Sequence, residues 1–173
     1  MKHLIIALCL VASLAAQDKS DFAAALKLRE ESTLAVKEKK ETPEASLEKL
    51  KAHGSPSGLK IDREADFALA ALDVGQRLIA AGEPEAAEKF FRAAEKSLDH
   101  VIRKSPESAA REKAGFLRKR AYIRGHFLNR AAEAKTDLEA ALSLQPEDAN
   151  LKAALERLRA QDCRLFLTEQ SKH

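Results

Sequence analysis

The fold of this chain is decided by residues 65–102, which read ADFALAALDVGQRLIAAGEPEAAEKFFRAAEKSLDHVI. Wound as a helix, the first half is apolar on almost every side. Its one polar stripe consists of Asp66, Asp73 and Arg77. Such a helix in a water-soluble chain is predicted to pack between other helices. Gly82 and Pro84 then end this helix and begin the next, because glycine favours helix C-termini and proline favours the first helical turn.

A single apolar stripe runs along the second half of this stretch. Its members, three and four residues apart, are Ala87, Phe90, Phe91, Ala94, Leu98, Val101 and Ile102. The whole stretch therefore predicts a hairpin of two antiparallel helices. We expect Phe91 in the core, between the helix that ends near Ala81 and the one that starts near Ser108.

Three further helices are predicted on the C-terminal side. One covers about residues 108–127, one follows Asn129 as its N-cap, and the last carries a narrower leucine stripe after the break at 145–148. The composition, with 33% charged and 5% aromatic residues and six glycines, favours helices over strands. We therefore predict an all-α protein.

The first fifteen residues have the features of a secretory signal peptide. A positive end at 1–3 precedes an apolar run at 4–14, and Ser13 and Ala15 supply the small residues that signal peptidase reads. The apolar run is shorter than the roughly 20 residues that span a bilayer. We predict that residues 1–15 are removed, that no stable membrane span remains, and that the protein is extracytoplasmic, either periplasmic or secreted.

Two regions follow the signal peptide. Residues 18–60 predict a loosely attached helical segment, because a charge run at 37–41 and Pro43 interrupt its apolar pattern and the residues at 53–58 read as a linker. Residues 61–168 are the predicted helical repeat domain.

Charge and cysteine content exclude several classes of protein. The chain has 30 Lys and Arg against 27 Asp and Glu, and loss of Lys2 leaves a net charge of +2. This near-neutrality argues against nucleic-acid binding. Cleavage also removes Cys9, so that Cys163 alone remains and no internal disulfide can form.

An internal repeat relates the second predicted helix to the fourth. An offset of 47 matches Ala87, Phe91 and Ala94 with Ala134, Leu138 and Ala141, respectively. The same offset matches Gly82, in the turn before the second helix, with Asn129. Small residues at the outer positions let two helices approach, and the large middle residue fills the gap between them. A repeated helical hairpin is therefore predicted.

This pattern resembles the tetratricopeptide repeat family. The first repeat follows the family's spacing through Val74, Gly75, Leu78, Gly82, Ala87, Phe91 and Ala94, and the second through Arg120, Ala121, Asn129, Ala134, Leu138, Ala141 and Pro146. The resemblance covers about residues 61–160, two repeats and a capping helix. It implies a short α-solenoid of antiparallel helical hairpins. The chain departs from the family in its offset of 47 instead of 34 and in one extra residue between Ala121 and Ala134, which leaves a generic α-solenoid or a helical bundle as alternatives.

The third predicted helix is strongly basic. Residues 111–130 contain seven Lys and Arg against one acid, Glu112, whereas the rest of the mature chain sums to −4. One interpretation is that these cations form ion pairs with acidic residues of neighbouring helices. The other is that they form a docking site for an anion.

The resemblance also implies which residues bind a partner. In the family the first helix of each repeat lines a concave groove. The extra residue leaves two registers, one that exposes Phe116, Lys119, Ile123 and His126 and one that exposes Gly115, Arg118, Tyr122 and Gly125. We favour the second. The candidate partner-binding residues are Arg118, Lys119, Tyr122, Arg124 and His126.

These observations predict a non-enzymatic adaptor or scaffold that binds another protein or peptide with an acidic segment. No cofactor, metal site or catalytic residue is predicted, because the histidines His53, His100, His126 and His173 are scattered and no strand precedes the glycines of the linker. The alternative is an accessory protein that binds an anionic cell-envelope polymer or a lipid surface through the basic helix. An enzyme with an unrecognised site is a further alternative, which turnover of generic hydrolase substrates would support.

The signal peptide generates the first testable prediction. The mature N-terminus should lie at or within two residues of Ala16, in an extracytoplasmic fraction. N-terminal sequencing of the protein purified from its native cells checks this. An intact Met1 on a cytoplasmic protein would refute it.

Overall fold

The computed structural model describes residues 21–53 and 60–170. The predicted signal peptide, most of the predicted linker and the side chain of Cys163 lie outside what it describes. None of the described helices has both the length and the apolar character that a membrane span requires.

The described part of the chain consists of seven α-helices and contains no strand. The helices are α1 (21–37), α2 (Pro43–His53), α3 (Lys60–Ala80), α4 (Pro84–Lys104), α5 (Ala110–His126), α6 (Ala131–Leu144) and α7 (Ala149–Gln170), and a short 3₁₀ turn at Glu107–Ala109 precedes α5. The predicted all-α class is confirmed.

The turns after α3 and α5 share a residue with positive φ. Gly82 has φ 83° and Asn129 has φ 53°, and the two lie at the offset of the sequence repeat. Glycine adopts this left-handed conformation freely, and asparagine tolerates it better than most residues. The prediction that Asn129 is the N-cap of α6 is therefore wrong, because Arg130 occupies that position and Asn129 belongs to the turn before it.

The extra residue found in the repeat lies in the turn after α5. This turn comprises residues 127–130, whereas the turn after α3 comprises 81–83. The amide of Glu83 hydrogen-bonds to the carbonyl oxygen five residues back, and the amide of Arg130 to the one six residues back. Positions on α3 and α5 consequently correspond at an offset of 46, and those on α4 and α6 at 47.

Helix α4 runs antiparallel to both α3 and α5. The hydroxyl of Ser97 on α4 donates to the backbone carbonyl of Glu64 on α3 at 3.1 Å, whereas Phe91 on α4 contacts the later residue Gly75. The same inverse relation holds for α4 with α5, through the pairs Asp99–Arg120 and Phe91–Phe127.

Phe91 occupies the centre of the core. It is 1% exposed, and its ring stacks on that of Phe127 with the centroids 3.9 Å apart and the planes 11° from parallel. A Cβ atom at Gly75 would lie 2.6 Å from Cε1 of Phe91, which is closer than atoms can approach. Glycine at 75 therefore lets α3 and α4 close on the ring, and the predicted position of Phe91 is confirmed.

The N-terminal segment shares this core. Val36 of α1 and Leu50 of α2 are buried in the same apolar cluster as the residues of α3 and α4. At the surface, the ammonium of Lys89 on α4 donates a hydrogen bond to the carboxylate of Glu44 on α2 at 2.7 Å, and this bond lowers the pKa of Glu44. The apolar cluster therefore continues across the predicted boundary near residue 60, between the N-terminal segment and the repeat domain.

The central ring generates the second prediction. Phe91→Ala should lower the free energy of unfolding by about 3–5 kcal/mol, as other large-to-small core substitutions do. Gly75→Ala should also destabilise, by about 1–3 kcal/mol, because the stacked ring cannot move away from the new methyl group. Urea denaturation followed by circular dichroism measures both values.

The matched control is Phe22→Ala, since Phe22 is 64% exposed. If Phe91→Ala unfolds at the same urea concentration as this control, the register of α4 is wrong. If Gly75→Ala is more stable than the wild type, as helix propensity alone predicts, the close approach at Phe91 is absent.

Candidate partner-binding surface

Three arginines of the predicted basic segment belong to one ionic cluster that joins α4, α5 and α6. The cluster consists of Arg120 and Arg124 on α5, Arg130 before α6, Glu95 and Asp99 on α4, and Glu133 and Asp137 on α6. The interpretation that the basic residues form ion pairs with neighbouring helices thus applies to these three.

Arg120 and Asp137 form the buried centre of the cluster. Nε and Nη2 of Arg120 donate to the two carboxylate oxygens of Asp137 at 3.0 and 2.6 Å, and Nη1 donates to Asp99 at 2.8 Å. The side chains of Arg120 and Asp137 are 12% and 4% exposed. Burial alone would lower the pKa of Arg120, but the hydrogen bonds and charge of Asp137 outweigh it and raise that pKa. Bidentate pairing of this kind fixes orientation as well as charge.

Arg124 and Arg130 complete the cluster through Glu95. Arg124 donates to Glu95 at 2.6 Å and to Asp137 at 2.9 Å, and Arg130 donates to both carboxylate oxygens of Glu95 at 2.7 and 2.8 Å. Arg130 also bonds to Glu133, which raises the pKa of Arg130 and lowers that of Glu133. Arg124 is a predicted site residue, but its side chain is only 14% exposed and its guanidinium group is bound to these carboxylates. It is therefore not part of the candidate partner-binding surface.

A second face of α5 carries an exposed aromatic residue, Tyr122. Tyr122 is 40% exposed, and its hydroxyl accepts a hydrogen bond from Nε2 of Gln76 on α3 at 3.2 Å. Its ring lies 4.7 Å from that of His126 and meets the ring of Phe127 edge-on at 5.3 Å. One turn beyond Gln76, Ile79 is 43% exposed. We call the residues Gln76, Ile79, Arg118, Tyr122 and His126 the tyrosine surface.

Burial decides between the two predicted registers of α5. Ile123 is fully buried, so the register that exposes it is wrong. Arg118 and Tyr122 are exposed, as the favoured register predicts. Gly125 does not open space beside them, however, because a Cβ there would lie 3.4 Å from Cβ of Ala134 and 3.5 Å from Cδ1 of Leu158. It faces α6 and α7 instead.

Lys119 lies at the edge of the tyrosine surface. Its side chain is partly buried, and its ammonium is 5.9 Å from the centroid of the Phe116 ring, within the range of a cation–π interaction. Burial lowers the pKa of Lys119, and the nearby charge of Arg118 lowers it further. Two of the predicted cations, Arg118 and Lys119, thus lie together on α5.

Sequence reasoning missed the contribution of α3. Gln76 and Ile79 belong to a helix that reads as apolar on almost every side, which obscured its exposed positions. The repeat offset of 46 between α3 and α5 could have identified these exposed positions, because it pairs Gln76 with Tyr122. Among the described residues, no group of three His, Cys, Asp or Glu side chains is arranged to hold a metal ion.

No known protein-family model and no curated protein matches this chain.

The ionic cluster generates the third prediction. Asp137→Ala should lower the free energy of unfolding by about 3–5 kcal/mol, because it leaves the buried guanidinium of Arg120 without its bidentate partner and removes one partner of Arg124. Replacing Arg120 and Asp137 together by leucine should cost much less, since no unpaired charge is then buried.

Chemical denaturation of these variants should be compared with Glu88→Ala, which breaks an exposed pair with Arg92 and should change stability by at most about 1 kcal/mol. Equal midpoints for Asp137→Ala and Glu88→Ala would show that the cluster does not hold the helices together.

Proposed function

We propose that this protein is an exported, non-enzymatic adaptor of tetratricopeptide type, which binds an extended segment of another protein along the tyrosine surface. The observation that carries the proposal is that Ile79 on α3 and Tyr122 on α5 are both about two-fifths exposed, and that Gln76, one turn before Ile79, donates a hydrogen bond to Tyr122. Isolated apolar residues are common on protein surfaces, whereas larger exposed apolar patches mark binding sites.

The arrangement of alternate helices supports a solenoid. Both α3 and α5 are antiparallel to α4, so they run parallel to each other, and the bond between Gln76 and Tyr122 joins them. Residues 115 and 125 of α5 lie near residues 151 and 158 of α7 respectively, so this pair is parallel too. Parallel first helices in successive hairpins form a continuous face in repeat proteins. In the tetratricopeptide family this is the face that binds partners.

The exposed part of Tyr122 is large enough to contribute measurably to affinity. An aromatic side chain buries roughly 150–250 Å² when it is fully covered. Covering the exposed part of Tyr122 would therefore contribute about 2 kcal/mol, or on the order of 30-fold in affinity. The hydrogen bond to Gln76 and the packing on Phe127 hold the ring before binding, so that little side-chain freedom is lost on association.

The alternative, binding to an anionic polymer or lipid surface, has less support. Arg120, Arg124 and Arg130 are each neutralised by carboxylates of the ionic cluster. The basic segment therefore offers fewer cations to a polyanion than its sequence indicates, and surface attraction grows with the number of cations available.

A peptide array tests the proposal and gives the fourth prediction. The mature protein should bind a subset of acetylated, amidated decapeptides that contain a large apolar residue. Ile79→Ala with Tyr122→Ala should weaken this binding at least tenfold, as judged by the dissociation constants of the selected peptides. Circular dichroism should remain that of the wild type.

The control is Phe22→Ala with Leu34→Ala, which removes two comparably exposed apolar side chains from α1. Unchanged dissociation constants in the Ile79 and Tyr122 variant, or an array without any bound peptide, would contradict the proposed function.

A further inference from the structure

Gly115 has no structural explanation among the described residues that surround it. Glycine weakens the interior of a helix relative to alanine, so its presence in α5 needs a reason. Gly75 makes room for Phe91, and Gly125 lies in close packing with Ala134 and Leu158. A Cβ at Gly115, in contrast, would meet nothing within 4 Å.

Gly115 lies in a groove between the N-terminal half of α5 and the start of α7. The groove has a volume of about 430 Å³, and its floor includes Gly115 and Leu151. Its charged lining consists of Arg111, Glu112, Arg118, Lys119 and Asp148. We call this feature the glycine groove. A side chain at 115 would extend into it.

The cations of the glycine groove differ from those of the ionic cluster. Within the described part of the chain, Arg111, Arg118 and Lys119 take part in no ion pair, whereas Arg120 and Arg124 on the same helix bind several carboxylates. Asp148 forms no ion pair with them, and Oδ1 of its carboxylate instead accepts hydrogen bonds from the amides of Asn150 and Leu151 at 2.8 and 3.2 Å. The lowered pKa of Lys119 reflects burial and the adjacent charge of Arg118. The charge of a bound anion would raise that pKa again, because an opposite charge favours the protonated ammonium.

The charge of the groove selects a monoanion. Three cations and two carboxylates line it, which gives a net charge of +1. A carboxylate neutralises that charge. A phosphate monoester, with about two negative charges, would leave an excess that Glu112 and Asp148 repel.

We propose that the glycine groove binds the carboxylate of an acidic side chain in an extended partner segment, whose main chain passes over Gly115. This inference rests on the proposed function and specifies the partner. Seven residues of α5 separate Gly115 from Tyr122, about 10 Å along the helix axis. An extended chain covers this distance in about three residues. The partner segment therefore carries an acidic residue about three positions from the apolar residue that contacts Tyr122.

The test uses decapeptides selected on the array and their isosteric amides, in which Asp or Glu is replaced by Asn or Gln. The wild-type protein should bind the acidic form about tenfold more tightly, as expected of a charge-assisted hydrogen bond. The preference should appear for an acid three positions from the apolar residue and disappear when the two are adjacent. Higher salt should reduce it.

Gly115→Leu should abolish the acid preference, because the leucine side chain fills the groove. Its melting temperature should equal or exceed that of the wild type, since leucine is the better helix former at a site without neighbours. Arg118→Gln with Lys119→Gln provides a second test that does not alter the backbone. The matched control is Lys96→Gln with Lys104→Gln, two exposed cations of α4, which should retain the preference.

Retention of the tenfold preference in both groove variants would overturn this inference. Equal affinity of the wild type for the acidic peptides and their amides would also overturn it. The proposed function would still stand in that case, provided that the variant with Ile79→Ala and Tyr122→Ala loses peptide binding. Binding of the wild type to vesicles of phosphatidylglycerol and phosphatidylcholine in equal parts, weakened by the groove variants and accompanied by no peptide preference, would overturn it in favour of a lipid surface.

Discussion

The packing of the Phe91 ring determines where the tyrosine surface lies. One edge of the ring fits against Gly75, which brings α3 and α4 together, and one face stacks on Phe127 at the end of α5. Phe127 in turn meets the ring of Tyr122 edge-on. The position of Tyr122 beside Gln76 therefore follows from a chain of contacts that begins in the core. A shift of the central ring would move the two halves of the surface relative to each other.

Helix α5 shows how one basic helix can serve two purposes. The side that faces α4 and α6 places its guanidinium groups against carboxylates, and these pairs fix the rotation of the helix about its own axis. Because that rotation is fixed, the opposite side must direct Arg118 and Tyr122 outward. Buried ion pairs often contribute little net stability, but they can specify one arrangement among several. Here the arrangement they favour is the one that presents the candidate surface.

Much of the fold could be predicted from the sequence, because periodicity and turn residues act locally. The helices, the core position of Phe91 and the match between Gly82 and Asn129 all depend on residues close in the chain. The division of the basic residues could not be predicted in this way. Arg120 and Arg124 look equivalent to Arg118 in the sequence, and only the packing of α5 between α4 and α6 separates them. For the same reason the sequence placed Arg124 on the candidate surface and overlooked Gln76.

The short turns within the two hairpins have a consequence for how the chain acquires its structure. Three residues connect α3 to α4, and four connect α5 to α6, so that each hairpin closes with a small loss of chain entropy. Contacts that are local in sequence also favour rapid folding. The pairs that join one hairpin to the other, such as Phe91 with Phe127, are more distant and depend on hairpins that are already formed. We therefore expect a stepwise order of folding in which each hairpin forms first and the tyrosine surface, which takes residues from both, is the last part to appear.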